Sequence, residues 1–242
     1  MERTAKKINW LALATVLCAA ALTGCRSLPV EQGTPFSDEA LARELRASVG
    51  GLYPTSFRAL HRVVLTIGNR QFAFLGHVAG HRPGQLRLAA SSEMGGTAFE
   101  LLRTADGGFH VVRNPASLRG SWLGSGAMRD AVALYLAVPP ENAALVRFSD
   151  GAVALVAERA GGTREEFRFD AATHRWIEYD RVRKGCVTYR VRFTRDALFA
   201  PWPRPAPAAV EIADFDLHYS LSLQVLGLSE AEYDPSVFQV IP

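Results

Sequence analysis

The spacing of apolar positions changes character along this chain. Ile8 to Leu22 is apolar apart from Asn9 and Thr15. That run is shorter than the roughly 20 residues needed to span a bilayer. It follows the basic residues Arg3, Lys6 and Lys7, which is the layout of a cleaved export signal over residues 1–24. Residues 25–35 include two prolines and a glycine with little periodicity, and they read as a tether. Leu41, Leu45 and Val49 then recur at helical spacing on one face. Ser37 suits the N-cap of that helix, Asp38 and Glu39 suit its first turn, and Gly50-Gly51 suits its end.

From Ser56 the period becomes two. Phe57, Ala59, His61, Val63, Leu65 and Ile67 share one strand face, Gly68-Asn69 suits a tight hairpin turn, and Phe72, Phe74, Gly76 and Val78 continue the alternation on the return strand. Pro83-Gly84, Gly95-Gly96 and Asp106-Gly107 separate further short strands around Leu86 to Leu88, 97–104 and 109–112. Met128, Val132, Tyr135 and Leu136 interrupt the meander with helical spacing. They predict a helix over 125–137 that is capped by Ser125 and stopped by Pro139-Pro140. Strands resume at 145–148, 153–158, 165–169, 176–182, 187–193, 210–215 and 219–225. Pro201, Pro203, Pro205 and Pro207 read as a bridging loop. The class is mainly β (α+β). The expected architecture over residues 36–242 is an antiparallel unclosed β-barrel of about eleven strands, with one or two helices covering its concave face. A flat sandwich is the competing arrangement.

Composition changes this picture little. Removing residues 1–24 from 242 leaves 218, enough for one domain or two small ones. The remaining 24 basic and 23 acidic residues give a mature charge of +1, so the pI is no argument for nucleic acid. Of three cysteines, Cys18 lies in the export signal, Cys25 ends it, and Cys186 sits in a strand pattern as a small buried hydrophobe. On that count no intramolecular disulfide is expected.

Leu22-Thr23-Gly24-Cys25 resembles a bacterial lipobox. The resemblance implies cleavage before Cys25, lipidation of Cys25 and a membrane-anchored mature protein. Residue 26 is Arg rather than Asp, the inner-membrane retention residue of enterobacterial lipoproteins. The implied address is therefore the outer membrane, facing the periplasm.

Few residues suggest catalysis. His77 and His81 have a spacing used by metal sites on helices, but their segment reads as strand and turn, and no Glu follows the first His. Ser125 sits in Leu-Gly-Ser-Gly-Ala, with Leu123 and Ala127 where a Gly-x-Ser-x-Gly nucleophile elbow has glycines. Asp214 and Asp216 alternate on a strand and read as a solvated edge. Arg181, Arg183, Lys184, Arg190, Arg192 and Arg195 form the densest basic patch. It reads as a water-exposed sheet face with Glu178 and Asp180, or as a contact for lipid phosphates. No catalytic residue, metal ligand or cofactor is assigned, and the chain is read as a non-enzyme.

The lipobox, the early amphipathic helix, the long meander and the single mid-chain helix together resemble the LolA/LolB superfamily of lipoprotein-localisation proteins. The stretch from Gln85 through Ser92-Glu93-Met94-Gly95-Gly96 to Gly107, then the helix to Leu136, is similar to uncharacterised proteobacterial lipoproteins in or near that superfamily. What the resemblance implies is an apolar cavity for the acyl chains of a lipid or of lipidated cargo. The anchored receptor of the family is the nearer analogue, although the protruding loop with an exposed leucine that it uses is not identifiable here. The residues expected to line the cavity are Phe72, Phe74, Leu86, Leu88, Phe99, Leu101, Trp176, Val187, Tyr189, Val191 and Leu221 on the strands, with Met128, Val132 and Leu136 on the helix. The alternative is a structural or assembly lipoprotein of the envelope in which these residues form a filled core.

Overall fold

A sheet with one long apolar face can bury that face by curling over it. The structure, a computed structural model, describes residues 28–91, 96–113, 126–200 and 202–239. These form one antiparallel sheet of 14 strands. In chain order they are β1 (Leu28–Pro29), β2 (Thr34–Pro35), β3 (Ser56–Ile67), β4 (Arg70–His81), β5 (Gln85–Ser91), β6 (Thr97–Arg103), β7 (Phe109–Arg113), β8 (Ala144–Arg147), β9 (Val153–Arg159), β10 (Thr163–Phe169), β11 (Trp176–Arg183), β12 (Cys186–Leu198), β13 (Pro205–Asp214) and β14 (Tyr219–Glu230). Helix α1 (Glu39–Gly50) precedes β3, and α2 (Ala127–Tyr135) lies between β7 and β8.

The strand order is β2-β8-β9-β10-β11-β12-β13-β14-β3-β4-β5-β6-β7, with β1 beside β12. Two meanders are joined where β14 pairs with β3, from Tyr219 against Ile67 to Glu230 against Phe57. Among the described residues β2 and β7 do not pair with each other, so the barrel is unclosed. No helix among these residues is long and apolar enough to cross a membrane.

Register carries the period-two pattern across the sheet. Leu145, Leu155, Phe167, Tyr179, Val191, Ile212, Leu221, Leu65 and Phe72 are consecutive partners on successive strands. All except Phe72 are buried. Each such side chain contributes about 1.5–3 kcal/mol on burial. Gly80 faces Phe57 across the β3–β4 pair, where a Cβ would overlap the ring. Phe57 thereby packs against Tyr53 and Tyr135, with ring centroids 5.7 and 5.1 Å away.

The hairpin and helix readings hold with local changes. Gly68 has φ +60 at the first turn position between Ile67 and Arg70, as a type II′ turn requires. Helix α1 buries Ala42, Leu45 and Val49, but its N-cap is Asp38 rather than Ser37, with the carboxylate accepting from Leu41 N at 2.9 Å. Ser125 and Ser92 to Gly95 lie outside the described residues. Pro205 and Pro207 belong to β13 rather than to a loop. They pair only with β12, because β14 joins β13 from Ala209 onward, so they lie on a one-sided edge where proline is tolerated.

Two further differences concern the N-terminal side. Residues 28–36 are bound to the sheet rather than free of it. Leu28 and Pro29 pair with Val187 and Cys186, Thr34 and Pro35 pair with Arg147 and Val146, and Phe36 N donates to Leu145 O at 3.0 Å. Glu31 accepts from Ser149 Oγ at 2.5 Å, and Gly33 lies so close to Val146 that a Cβ would not fit. Val146, a partner of this strap, belongs to a small apolar cluster with Phe148, Ala152 and Ala154. Cys186 is disulfide-bonded, which corrects the expectation that it has no cysteine partner. The other two cysteines, Cys18 and Cys25, lie outside the described residues.

Candidate functional site

Helix α2 lies on the concave face and is buried on nearly every side. Ala127, Met128, Asp130, Ala131, Ala133, Leu134 and Tyr135 are all buried. Between it and the sheet is an apolar cavity of about 70 Å³. Its sheet wall includes His61, Val63, Phe74, Gly76, Val78, Leu88, Ala90, Phe99, Ile212, Leu221 and Leu223, and its helix wall is Ala127, Asp130, Ala131, Leu134 and Tyr135. A dry cavity of about 150 Å³ admits benzene, so this state leaves room for less than that.

Of the expected lining residues, Phe74, Leu88, Phe99 and Leu221 meet at the cavity. Phe72 lies two residues from Phe74 on the same face of β4 and is 38% exposed. Leu86, Leu101, Trp176, Tyr189, Val187 and Val191 are buried in the sheet without lining the cavity. Met128 is buried and Val132 and Leu136 are half-buried against the core, but the cavity faces the other side of the helix. The bulky apolar residues mark one stripe, while the void lies where the helix presents alanines. Small residues make such a space, and hydrophobic size does not signal it.

Polar contacts hold the helix to the sheet. Asp130 accepts from Tyr189 at 3.0 Å and from Tyr219 at 2.7 Å, and all three are buried. Arg129 pairs with Asp214, donates to Tyr219 Oη at 2.8 Å and lies 4.9 Å from the Tyr189 ring centre. Asp214 is therefore buried against the helix rather than on a solvated edge, whereas Asp216 is exposed and meets Arg183 at 3.1 Å. At the other end of α2, the Tyr135 hydroxyl hydrogen-bonds His61 Nε2, and Arg82 Nη2 donates to Tyr135 O at 3.0 Å. Arg82 also donates to Gly50 O, so one guanidinium ties together the ends of both helices. Burial pushes the His61 ring down to about 4, against a backbone hydrogen bond with Gly76. Burial likewise raises the Tyr135, Tyr189 and Tyr219 phenols, so all three stay protonated donors.

The other candidates resolve differently. Arg190 donates to Asp180 at 2.8 and 2.6 Å, and Arg192 donates to Glu178 at 2.6 Å, so this part of the basic patch is an ion-pair ladder. Burial raises Asp180 to about 6 despite Arg190. Arg181 donates to Tyr179 Oη at 2.9 Å, while Lys184 occupies a turn and Arg195 is exposed. His77 and His81 are four residues apart on β4, about 13 Å along a strand, too far to share an ion. Leu198, at the end of β12, is 70% exposed, and Leu226 beside it is 46% exposed. The sequence placed both in strands or loops without marking them.

No protein-family profile and no curated protein matches the chain. Solved structures do. A LolA superfamily protein from Nitrosomonas europaea superposes with a TM-score of 0.57 at 9% identity, over 82% of this chain and 97% of that one. A DUF1329 family protein from Desulfovibrio piger superposes with a TM-score of 0.53 at 10% identity, over 84% and 98%. The chain therefore has the LolA-like fold, an unclosed antiparallel half-barrel with two helices.

Proposed function

We propose that this is an envelope lipoprotein, anchored through Cys25 in the outer membrane and facing the periplasm, that takes up the acyl chains of a lipid or of lipidated cargo between α2 and the sheet. The observation that carries the reading is the mainly apolar cavity under α2, whose wall runs on through Phe74 to the exposed Phe72. Each buried methylene is worth about 0.8 kcal/mol, so a site of this kind needs apolar area and few polar groups. In the closed state the space is about 70 Å³, and uptake requires α2 to lift. Its polar contacts suit that movement, because a lifted helix exposes Asp130, Arg129 and the Tyr135 hydroxyl to water that can replace their partners. The LolA-like fold of carriers is consistent with binding and transport, and no catalytic step belongs to this reading.

The small cavity also favours a second reading, an assembly lipoprotein whose interior is filled. Lipid extraction and native mass spectrometry of the mature chain carrying Cys25→Ser separate the two. Bound lipid, or saturable displacement of a fluorescent fatty acid, supports the carrier. A lipid-free protein that takes up no probe supports the filled core.

A further inference from the structure

Where the N-terminal strap begins determines which end of the half-barrel meets the membrane. Leu28 is already paired with Val187, so only residues 26 and 27 separate Cys25 from the sheet. Three peptide units span at most about 11 Å between Cα atoms. A lipid on Cys25, which excludes a Cys25–Cys186 disulfide, would therefore keep Leu28 and its partner Val187 within about that distance of the headgroups.

The same end collects other features. Tyr189, Asp214, Tyr219, Ile67 and Arg70 are consecutive partners across β12, β13, β14, β3 and β4. The turns at Gly68-Asn69, Lys184-Gly185 and residues 215–218 thus lie at one end of the sheet. Arg70, Arg159, Arg183 and Lys184 are exposed there, with Glu158 and Asp216 as exposed carboxylates. Ile67 and Phe72 are 40% and 38% exposed on the concave face. They continue the apolar strip that leaves the cavity at Phe74. Leu198 is at the opposite end of the 13-residue β12, about 40 Å away.

We infer that the half-barrel stands on the bilayer through its Ile67–Arg70 and Lys184-Gly185 end, so that the strip Phe74, Phe72, Ile67 opens onto the lipid surface. The basic side chains meet lipid phosphates, the two exposed apolar side chains reach the acyl boundary, and Leu198 points away from that membrane. This rests on the lipid anchor proposed at Cys25. A chain drawn from the bilayer then has a continuous apolar route to the cavity.

The test is photo-crosslinking of the lipidated mature protein in vesicles of phosphatidylethanolamine and phosphatidylglycerol. Benzoylphenylalanine is placed at Asn69 or Phe72 at the anchored end, and at Leu198 or Leu226 at the far end. Lipid adducts at the first pair and their loss at the second are expected. A flexible Gly/Ser insert of about 20 residues between Ser27 and Leu28 has a mean span of about 25 Å. It should remove the bias without altering the circular dichroism of the fold. Adducts mainly from Leu198 and Leu226, or equal yields from both ends without the insert, overturn the inference and leave the anchor standing. A mature N-terminus that carries no lipid by mass spectrometry overturns both.

Discussion

The Tyr219 hydroxyl lies 2.7 and 2.8 Å from the two carboxylate oxygens of Asp130, linking β14 to α2 across 89 positions of sequence. Tyr189 donates to the same carboxylate from β12. A buried carboxylate without donors is costly, so these phenols are what permit an acid on the cavity side of the helix. Tyr219→Phe should lower unfolding free energy by about 1–3 kcal/mol, as expected for a lost bond to a buried charge. If the contact also holds α2 down, the variant should take up a fluorescent fatty acid faster than wild type. Urea denaturation and stopped-flow fluorescence measure the two effects. A destabilised variant with unchanged uptake would show that the bond supports folding only.

The strand faces were legible because alternation needs only local sequence. Phe57 through Ile67 and Phe72 through Val78 face the core side as the pattern implied, with the hairpin at Gly68-Asn69. The cavity wall was less legible. Asp130 meets Tyr189 and Tyr219 only because the helix crosses the sheet, and separations of 59 and 89 residues leave no periodic trace. Ala127 and Ala131 line the void by being small, while the apolar stripe of Met128, Val132 and Leu136 drew attention to the opposite side. Asp214 read as an exposed strand residue because Arg129, its partner, lies 85 residues away.

Protonation of the buried His61 ring should by itself cost stability as acid is added. Its folded pKa of about 4 lies below the ordinary 6.5 because the ring is buried. Between those values the unfolded chain binds more protons, so the stability from neutral His61 is full above 6.5 and is lost as pH falls towards 4. The shift corresponds to about 3 kcal/mol. Asp180 acts in the opposite sense, because burial raises it from 3.8 to about 6. The folded state binds more protons between those values, and that contribution is lost as pH rises through about 6. In wild type the two contributions largely offset between about pH 4 and 6, and His61→Gln should leave the Asp180 slope alone, so that the variant gains stability as pH falls through about 6. Denaturant titrations across pH 6.5 to 4 check this. A slope in His61→Gln unchanged from wild type would rule out this role for His61.

Gly80→Ala should be destabilising by about 1–3 kcal/mol, because the new methyl would overlap the Phe57 ring in a packed aromatic group. Gly68→Ala at the hairpin meets no neighbouring atom, and its penalty comes from φ +60 alone. Thermal melts of the two variants separate steric from backbone cost. Gly80→Ala combined with Phe57→Leu should recover part of the loss if overlap is the cause.

Cys25 has two chemical fates that exclude each other, because a thioether sulfur cannot also join a disulfide. With lipidation, labelled fatty acid should be incorporated into the mature chain and lost in Cys25→Ser. Label that persists in Cys25→Ser would contradict the anchor. So would an unlipidated mature chain that accepts two alkyl groups only after reduction, since Cys186 is disulfide-bonded in the structure.

The carrier reading depends on whether the space under α2 can be used by lipid. Ala131→Leu and Ala90→Leu each add bulk to the wall of the approximately 70 Å³ cavity. The decisive measurement is displacement of a fluorescent fatty acid from the mature chain with Cys25→Ser, read beside the melting curve of the same samples. The account predicts saturable uptake by wild type, strongly reduced uptake by both variants, and stability within about 1 kcal/mol of wild type because the added carbons fill existing space. No uptake by wild type, with both variants destabilised by about 1–3 kcal/mol through overpacking, would contradict it and leave the filled-core assembly protein.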